Sequence, residues 1–169
     1  MPDPFVRLNN IHFTWPGTDR ELFTGLNLDI DLSQGRKRMG LLGPNGSGKT
    51  TLFHIIMGLL FPDKGELRFK GESLSKDKEF SQLRREVGLL FQQADDQLFS
   101  PTVLEDVAFG PLNLGLSPDK ARERAMAVLT ELGLYGFEDR ITHKLSGGEK
   151  KMVALATILA MRPTLLLLD

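Results

Sequence analysis

The sequence predicts an α/β fold: a core of mostly parallel sheet, an antiparallel β part toward the N-terminus, and a helical insertion between two stretches of the core. Three observations predict it. The run Gly43, Pro44, Asn45, Gly46, Ser47, Gly48, Lys49, Thr50 fits G-x-x-x-x-G-K-[ST], a glycine-rich loop that joins a strand to a helix. Residues 165–168 are four consecutive leucines, which cannot alternate faces and therefore read as a parallel strand buried on both sides. Between these two landmarks, from about residue 92 to residue 144, the pattern is mainly helical.

Residues 5–14 alternate and read as the first strand, and Trp15, Pro16, Gly17 and Thr18 make a turn. Residues 26–32 alternate apolar and polar strictly, as a half-buried strand does. After a turn at 33–35, residues 38–42 read as the strand that enters the glycine-rich loop, and 51–57 as the helix that leaves it. A turn at 61–65 leads into another alternating strand at 66–71, and 87–91 is an apolar run suited to a buried parallel strand. Ser117, Pro118 and Asp119 predict a helix start, with a capping hydroxyl and proline in the first position. Ala121, Ala125, Val128, Leu129 and Leu132 then share one face, Gly133 closes the helix, and Lys120, Arg122, Glu123 and Arg124 form a solvated outer face. Leu145, Ser146, Gly147, Gly148 and Glu149 lead into an apolar helix at 150–161, which Pro163 ends.

Bulk composition bounds the function. The 169 residues suffice for one sizeable core, and a net charge of −1 gives no global field toward nucleic acid. There is no cysteine, so a disulfide scaffold, a cysteine metal site and a thiol nucleophile are excluded. The N-terminal residues do not read as a signal peptide, and the longest mostly apolar stretch, 152–161, is far shorter than a membrane span. There is no internal repeat and no low-complexity segment. His12, His54 and His143 are scattered, without metal-ligand spacing or a paired carboxylate, and read as structural or surface residues.

The loop at 43–50 points to phosphate. Glycines let the backbone approach an anion closely, successive N–H groups form an anion-binding nest, and the following helix adds the positive end of its dipole. Lys49 is suited to the β/γ-phosphates and the Thr50 hydroxyl to Mg²⁺. With that loop present, Asp169 at the carboxyl end of the leucine strand reads as the acidic partner of Mg²⁺.

The order of motifs resembles the ATP-binding cassette (ABC) ATPases: the loop at 43–50, Gln92 after the apolar strand ending in Phe91, the run Leu145 to Glu149, and Leu165 to Asp169. The run from Phe91 through Gln93, Asp95, Gln97 and Phe99 to Val103, the run Glu105 to Asn113, and the acidic Glu149 followed by Lys150 and Lys151 are most similar to the cobalt, nickel and energy-coupling-factor importer group. The resemblance implies a P-loop NTPase core and one ABC ATPase domain over 1–169, incomplete at its C-terminus. Residues 1–91 and 146–169 would form the nucleotide-binding core with its antiparallel part, and 92–145 a helical subdomain.

By the same resemblance, Trp15 stacks on adenine, with Phe13 as the competing candidate. Gly43, Asn45, Gly46, Ser47, Gly48, Lys49, Thr50 and Thr51 hold the phosphates of ATP. Gln92 senses the γ-phosphate through Mg²⁺ or the attacking water, near the contact with a membrane subunit. Thr50, Gln92 and Asp169 serve Mg²⁺, with Lys49, Gln92 and Asp169 as the catalytic set. Ser146, Gly147 and Gly148 serve the ATP of a second cassette, either a copy of this chain or a paralogue. The implied protein is an ATPase on the inner face of the cell membrane that powers a transmembrane importer of a small substrate such as cobalt, nickel or a vitamin, touching the membrane only through its partner and binding no nucleic acid.

The sequence departs from the family where it stops. The glutamate expected after Asp169, the dimer-contact loop and the later histidine are not in it. A piece of a longer protein or a truncated product is expected, with turnover near background for these 169 residues alone and apolar surface left uncovered. The competing readings are a binding-only cassette, a soluble ABC ATPase of DNA repair or translation, and a P-loop kinase or GTPase, which has no need of Ser146, Gly147 and Gly148.

Overall fold

The computed structural model describes residues 3–33, 35 and 38–169, and it divides into two compact units, Met1–Arg84 and Arg85–Asp169. The expected pairing of an antiparallel with a parallel sheet is present.

The first unit is built on a four-stranded antiparallel sheet in the order β2-β1-β3-β4, formed by β1 (Val6–Thr14), β2 (Glu21–Ile30), β3 (Lys64–Phe69) and β4 (Glu72–Leu74). The alternation that predicted β1 has a physical cause: Val6, Leu8, Ile11 and Phe13 are buried while residues between them face outward. The switch of parity between Leu8 and Ile11 falls at a bulge, where Asn10 takes a positive φ of 51° and its N–H is taken by the Asn27 side chain at 2.9 Å. The turn after β1 forms as expected, with both the N–H and the hydroxyl of Thr18 donating to the Trp15 carbonyl. Helix α1 (Lys49–Ile56) buries Leu52, Ile55 and Ile56, and α2 (Phe80–Glu86) buries Phe80 and Leu83.

Residues 38–42 do not form the expected strand. None of the described residues pairs with them, and Met39, Leu41 and Leu42 are exposed, Leu42 at 94%. The apolar run has strand propensity, but a strand is held by its ladder, and no described strand pairs with this segment.

The second unit joins a two-stranded parallel sheet, β5 (Val87–Leu90) and β6 (Leu165–Leu168), to three helices: α3 (Val103–Asn113), α4 (Pro118–Glu131) and α5 (Gly147–Leu159). One buried cluster joins its three helices. Val103, Val107 and Ala108 of α3 meet Ala121, Ala125, Val128 and Leu129 of α4, and Val153, Ala156 and Ala160 of α5. The small residues at 121, 125, 153, 156 and 160 fill the centre, which lets helices pack closely. Helix α4 ends as predicted: Gly133 adopts φ 73°, its N–H reaches the Thr130 carbonyl, and the Leu134 N–H reaches Leu129, the Schellman pattern.

Two expectations are corrected here. Ser117 is the N-cap of α4 and Pro118 its first residue, yet the Ser117 hydroxyl makes no capping bond, so proline's fixed φ and the acidic Asp119 start this helix. The leucine strand is not buried on both faces. Leu167 is buried, but Leu166 and Leu168 are open, Leu168 at 59%, because β6 pairs on one side only and alternates as a half-covered strand does.

Candidate functional site

The glycine-rich loop lies in the first unit. Gly48 is the N-cap of α1 and takes φ 96°, a left-handed turn that an L side chain resists. Space enforces the same choice: a Cβ there would stand 2.8 Å from Cζ of Phe23 and 3.1 Å from Cδ2 of Leu22, both on β2. The loop is tight at its start as well, since a Cβ on Gly43 would lie 2.7 Å from the Ser47 hydroxyl, and the Ser47 N–H closes a turn on Pro44. Gly43, Asn45, Gly46 and Ser47 are exposed, Lys49 and Thr50 half-buried, and Thr51 buried. With no side chain capping α1, the helix presents its N-terminal amide end at the loop.

The Lys49 ammonium folds back over this loop, donating to the carbonyls of Gly43 at 3.0 Å and Pro44 at 2.9 Å. Those two bonds set the cation beside the amides that follow the turn. A loop with this backbone, one ammonium and a threonine hydroxyl has the chemistry for a polyphosphate and a hard cation. Among the described residues no group of three His, Cys, Asp or Glu is placed to hold a metal by itself. Mg²⁺ in phosphate sites takes few protein ligands beside phosphate oxygens and water, and the Thr50 hydroxyl is an oxygen donor of that kind.

Of the two aromatic candidates, Phe13 is buried at 4% while Trp15 is 43% exposed and stands edge-on to Phe13, centroids 5.4 Å apart. Trp15 thus has an open ring face braced by a core residue. His12 needs correcting: it does face a carboxylate, its Nδ1 lying 2.6 Å from Glu21 Oε1 across the β1–β2 ladder, with Nε2 3.3 Å from the Asn10 amide oxygen. The two residues are nine apart in sequence and meet across the hairpin through strand pairing, which spacing along the chain does not reveal.

In the second unit Gln92 is exposed just beyond β5, and the Asp169 N–H continues the ladder by donating to the Leu90 carbonyl at 3.1 Å. Gln92 and Asp169 therefore stand at the carboxyl ends of adjacent parallel strands, the end at which open α/β sheets place ligand-binding groups. Gln97 ties the loop behind Gln92 to α5: its amide oxygen accepts the Phe91 N–H, and its amide nitrogen donates to the Ala154 carbonyl and the Thr157 hydroxyl. The sequence reading quoted Gln97 within a motif without giving it a role.

Ser146 is the N-cap of α5. Its hydroxyl accepts the Glu149 N–H, and Glu149 returns a carboxylate oxygen to the Ser146 N–H at 2.8 Å, a capping box. The spacing S-x-x-E carries that signal in the sequence. Gly147 and Gly148 are exposed, with nothing within 4 Å of a Cβ built on either, and as the first two residues of α5 their N–H groups have no acceptor within the helix. The Ser146 N–H and hydroxyl hold the Glu149 carboxyl below the ordinary glutamate range, with Arg140 adding to it.

Residues 26–169 match the ABC transporter family. The chain is 60% identical over 99% of its length to a protein of Nitratidesulfovibrio vulgaris named as an ABC transporter ATP-binding protein, covering 60% of that protein. It is 46% identical to the energy-coupling factor transporter ATP-binding protein EcfA of Methanothermobacter thermautotrophicus, over 97% of this chain and 52% of that one. Among solved structures it is similar to cbiO1 of Clostridium perfringens, part of the ABC transporter complex cbiONQ, with a TM-score of 0.79 and 35% identity over 99% of this chain and 65% of that one. The chain thus spans between about half and two thirds of the length of these relatives. The family match and these identities agree with the order of motifs, and the chain belongs to the ABC transporter family, in its ATP-binding domain.

Proposed function

We propose that this sequence binds ATP with Mg²⁺ and, in its natural protein, supplies ATP hydrolysis to a membrane importer of a small substrate such as cobalt, nickel or a vitamin. The observation that carries the reading is the loop at 43–50, where Gly48 admits no side chain and the Lys49 ammonium is pinned beside the helix N-terminus. Gly43, Asn45, Gly46, Ser47, Gly48, Lys49 and Thr51 cradle the phosphates, Thr50 offers Mg²⁺ a hydroxyl, and Trp15 offers adenine a ring face. Gln92 and Asp169 bring an amide oxygen and a carboxylate, the oxygen ligands Mg²⁺ takes. Mg²⁺ would neutralise charge on the phosphates as the terminal one leaves.

Ser146, Gly147 and Gly148 serve the ATP of a second cassette, a copy of this chain or a paralogue. The importer reading is supported by the similarity to EcfA and to cbiO1. A transmembrane subunit is then the second partner, and the inner face of the cell membrane the place of work. No described helix is long and apolar enough to cross a membrane. The helical stretch 92–145 acts as a subdomain inserted in the nucleotide-binding core.

The test is ATP hydrolysis and uptake by the natural protein purified with its membrane partners. Hydrolysis that drives uptake, and is lost in Lys49→Ala, is the expected result. No ATP binding by the wild type, or full turnover in Lys49→Ala, overturns the reading.

A further inference from the structure

Arg140 lies outside every motif, yet it is held from three sides. Its N–H donates to the Phe137 carbonyl at 2.9 Å, its own carbonyl accepts the Val103 N–H at 3.0 Å, and its guanidinium stacks 3.6 Å above the Phe137 ring. From that fixed position Nη1 donates to Glu149 Oε1 at 3.0 Å, while Oε2 of the same carboxylate accepts the Ser146 N–H. Each carboxylate oxygen has its own partner, so the group cannot turn without losing one of them.

We propose that Arg140 is a positioning residue for the ATPase reaction, setting the Ser146–Gly148 turn through Glu149. The inference rests on the proposed role of Ser146, Gly147 and Gly148 toward a γ-phosphate. Ser146 Oγ accepts the Glu149 N–H and its own hydrogen lies within reach of the Glu149 carboxylate, so whether that hydrogen can turn outward depends on where Glu149 is held. An anion needs that donor side facing out, together with the amides of Gly147 and Gly148. Glu149 works against the same anion, because its carboxylate lies within a turn of those amides and is itself a competing negative charge. Arg140 restrains that charge and offsets it. Both partners are partly solvated, and ion pairs of this kind add little to stability, so the pair is better read as fixing geometry than as holding the fold.

The test is a double-mutant cycle on the natural protein, with ATP as the probe. Arg140→Met keeps an unbranched apolar side chain and removes the charged guanidinium; Glu149→Ala removes the group through which Arg140 acts. Arg140→Met is expected to lower kcat about tenfold, a cost typical of a misplaced reacting group, with KM for ATP and the melting temperature nearly unchanged. In the Glu149→Ala background the same change should cost less than about twofold. If Arg140→Met does not fold, Arg140→Ala replaces it in the same cycle. An equal loss in both backgrounds, or a loss that tracks the melting temperature, overturns the proposal. A wild type that does not hydrolyse ATP would instead overturn the functional reading beneath it.

Discussion

Replacing Gly88 with alanine tests how closely β5 approaches α5. A Cβ on Gly88 would stand 2.2 Å from Cγ2 of Ile158 and 3.2 Å from Cδ2 of Leu166 and Cγ of Pro163. Carbons rest at about 3.5–4.0 Å, so the first contact is short by more than about 1 Å. Ile158 cannot swing aside, because a β-branched residue in a helix has one strongly preferred χ1. Overpacking of this kind costs about 1–3 kcal/mol, and the smaller freedom of alanine in the unfolded chain returns about 0.4–1 kcal/mol. The net loss is about 1–2 kcal/mol, or about 3–6 °C for a chain of this size. Ile158→Leu removes the offending Cγ2 branch at a cost below about 1.5 kcal/mol, so Gly88→Ala made in that background should lose at most about half as much. Urea unfolding followed by helical circular dichroism gives both midpoint and slope. A Gly88→Ala midpoint equal to the wild type, or the same loss with and without Ile158→Leu, would refute the packing argument.

Gly48→Ala combines a left-handed φ with overlap on Phe23 and should cost about 2–4 kcal/mol while abolishing ATP binding; a fluorescent ATP analogue that still binds tightly would sink this. Acid should weaken the fold. The carboxyls of Glu149, Glu79, Glu66 and Asp29 lie below their ordinary range, held there chiefly by the Ser146 N–H, the Ser75 N–H, and hydrogen bonds from Arg68 and Arg7 respectively. A depressed carboxyl stabilises the fold above its unfolded pKa and ceases to do so as pH falls through its folded one. The melting temperature should therefore be level from neutrality down to about pH 5 and drop below about pH 4. A melting temperature that rises on acidification contradicts this.

Much of the fold was legible because its signals are local. Alternation gave β1, β3 and the second half of β2, and proline and glycine punctuated α4. The loop at 43–50 was legible for the same reason, since its chemistry depends on contiguous residues whose backbone needs are written in their types. Each of these follows from the covalent chain within about one turn or one hairpin.

Tertiary structure decided whatever depends on residues distant along the chain. Whether 38–42 joins a ladder, and which face of β6 is covered so that Leu166 and Leu168 stay exposed, depend on what the folded chain packs beside them. The His12–Glu21 contact comes from strand register, and two of the three bonds of Gln97 span 57 and 60 residues to Ala154 and Thr157. Arg140 gained its place only when Phe137, Val103 and Glu149 converged on it. A sequence fixes which groups are available and the local conformations they prefer; which distant groups meet is settled by packing, because only the folded backbone brings them within hydrogen-bonding reach.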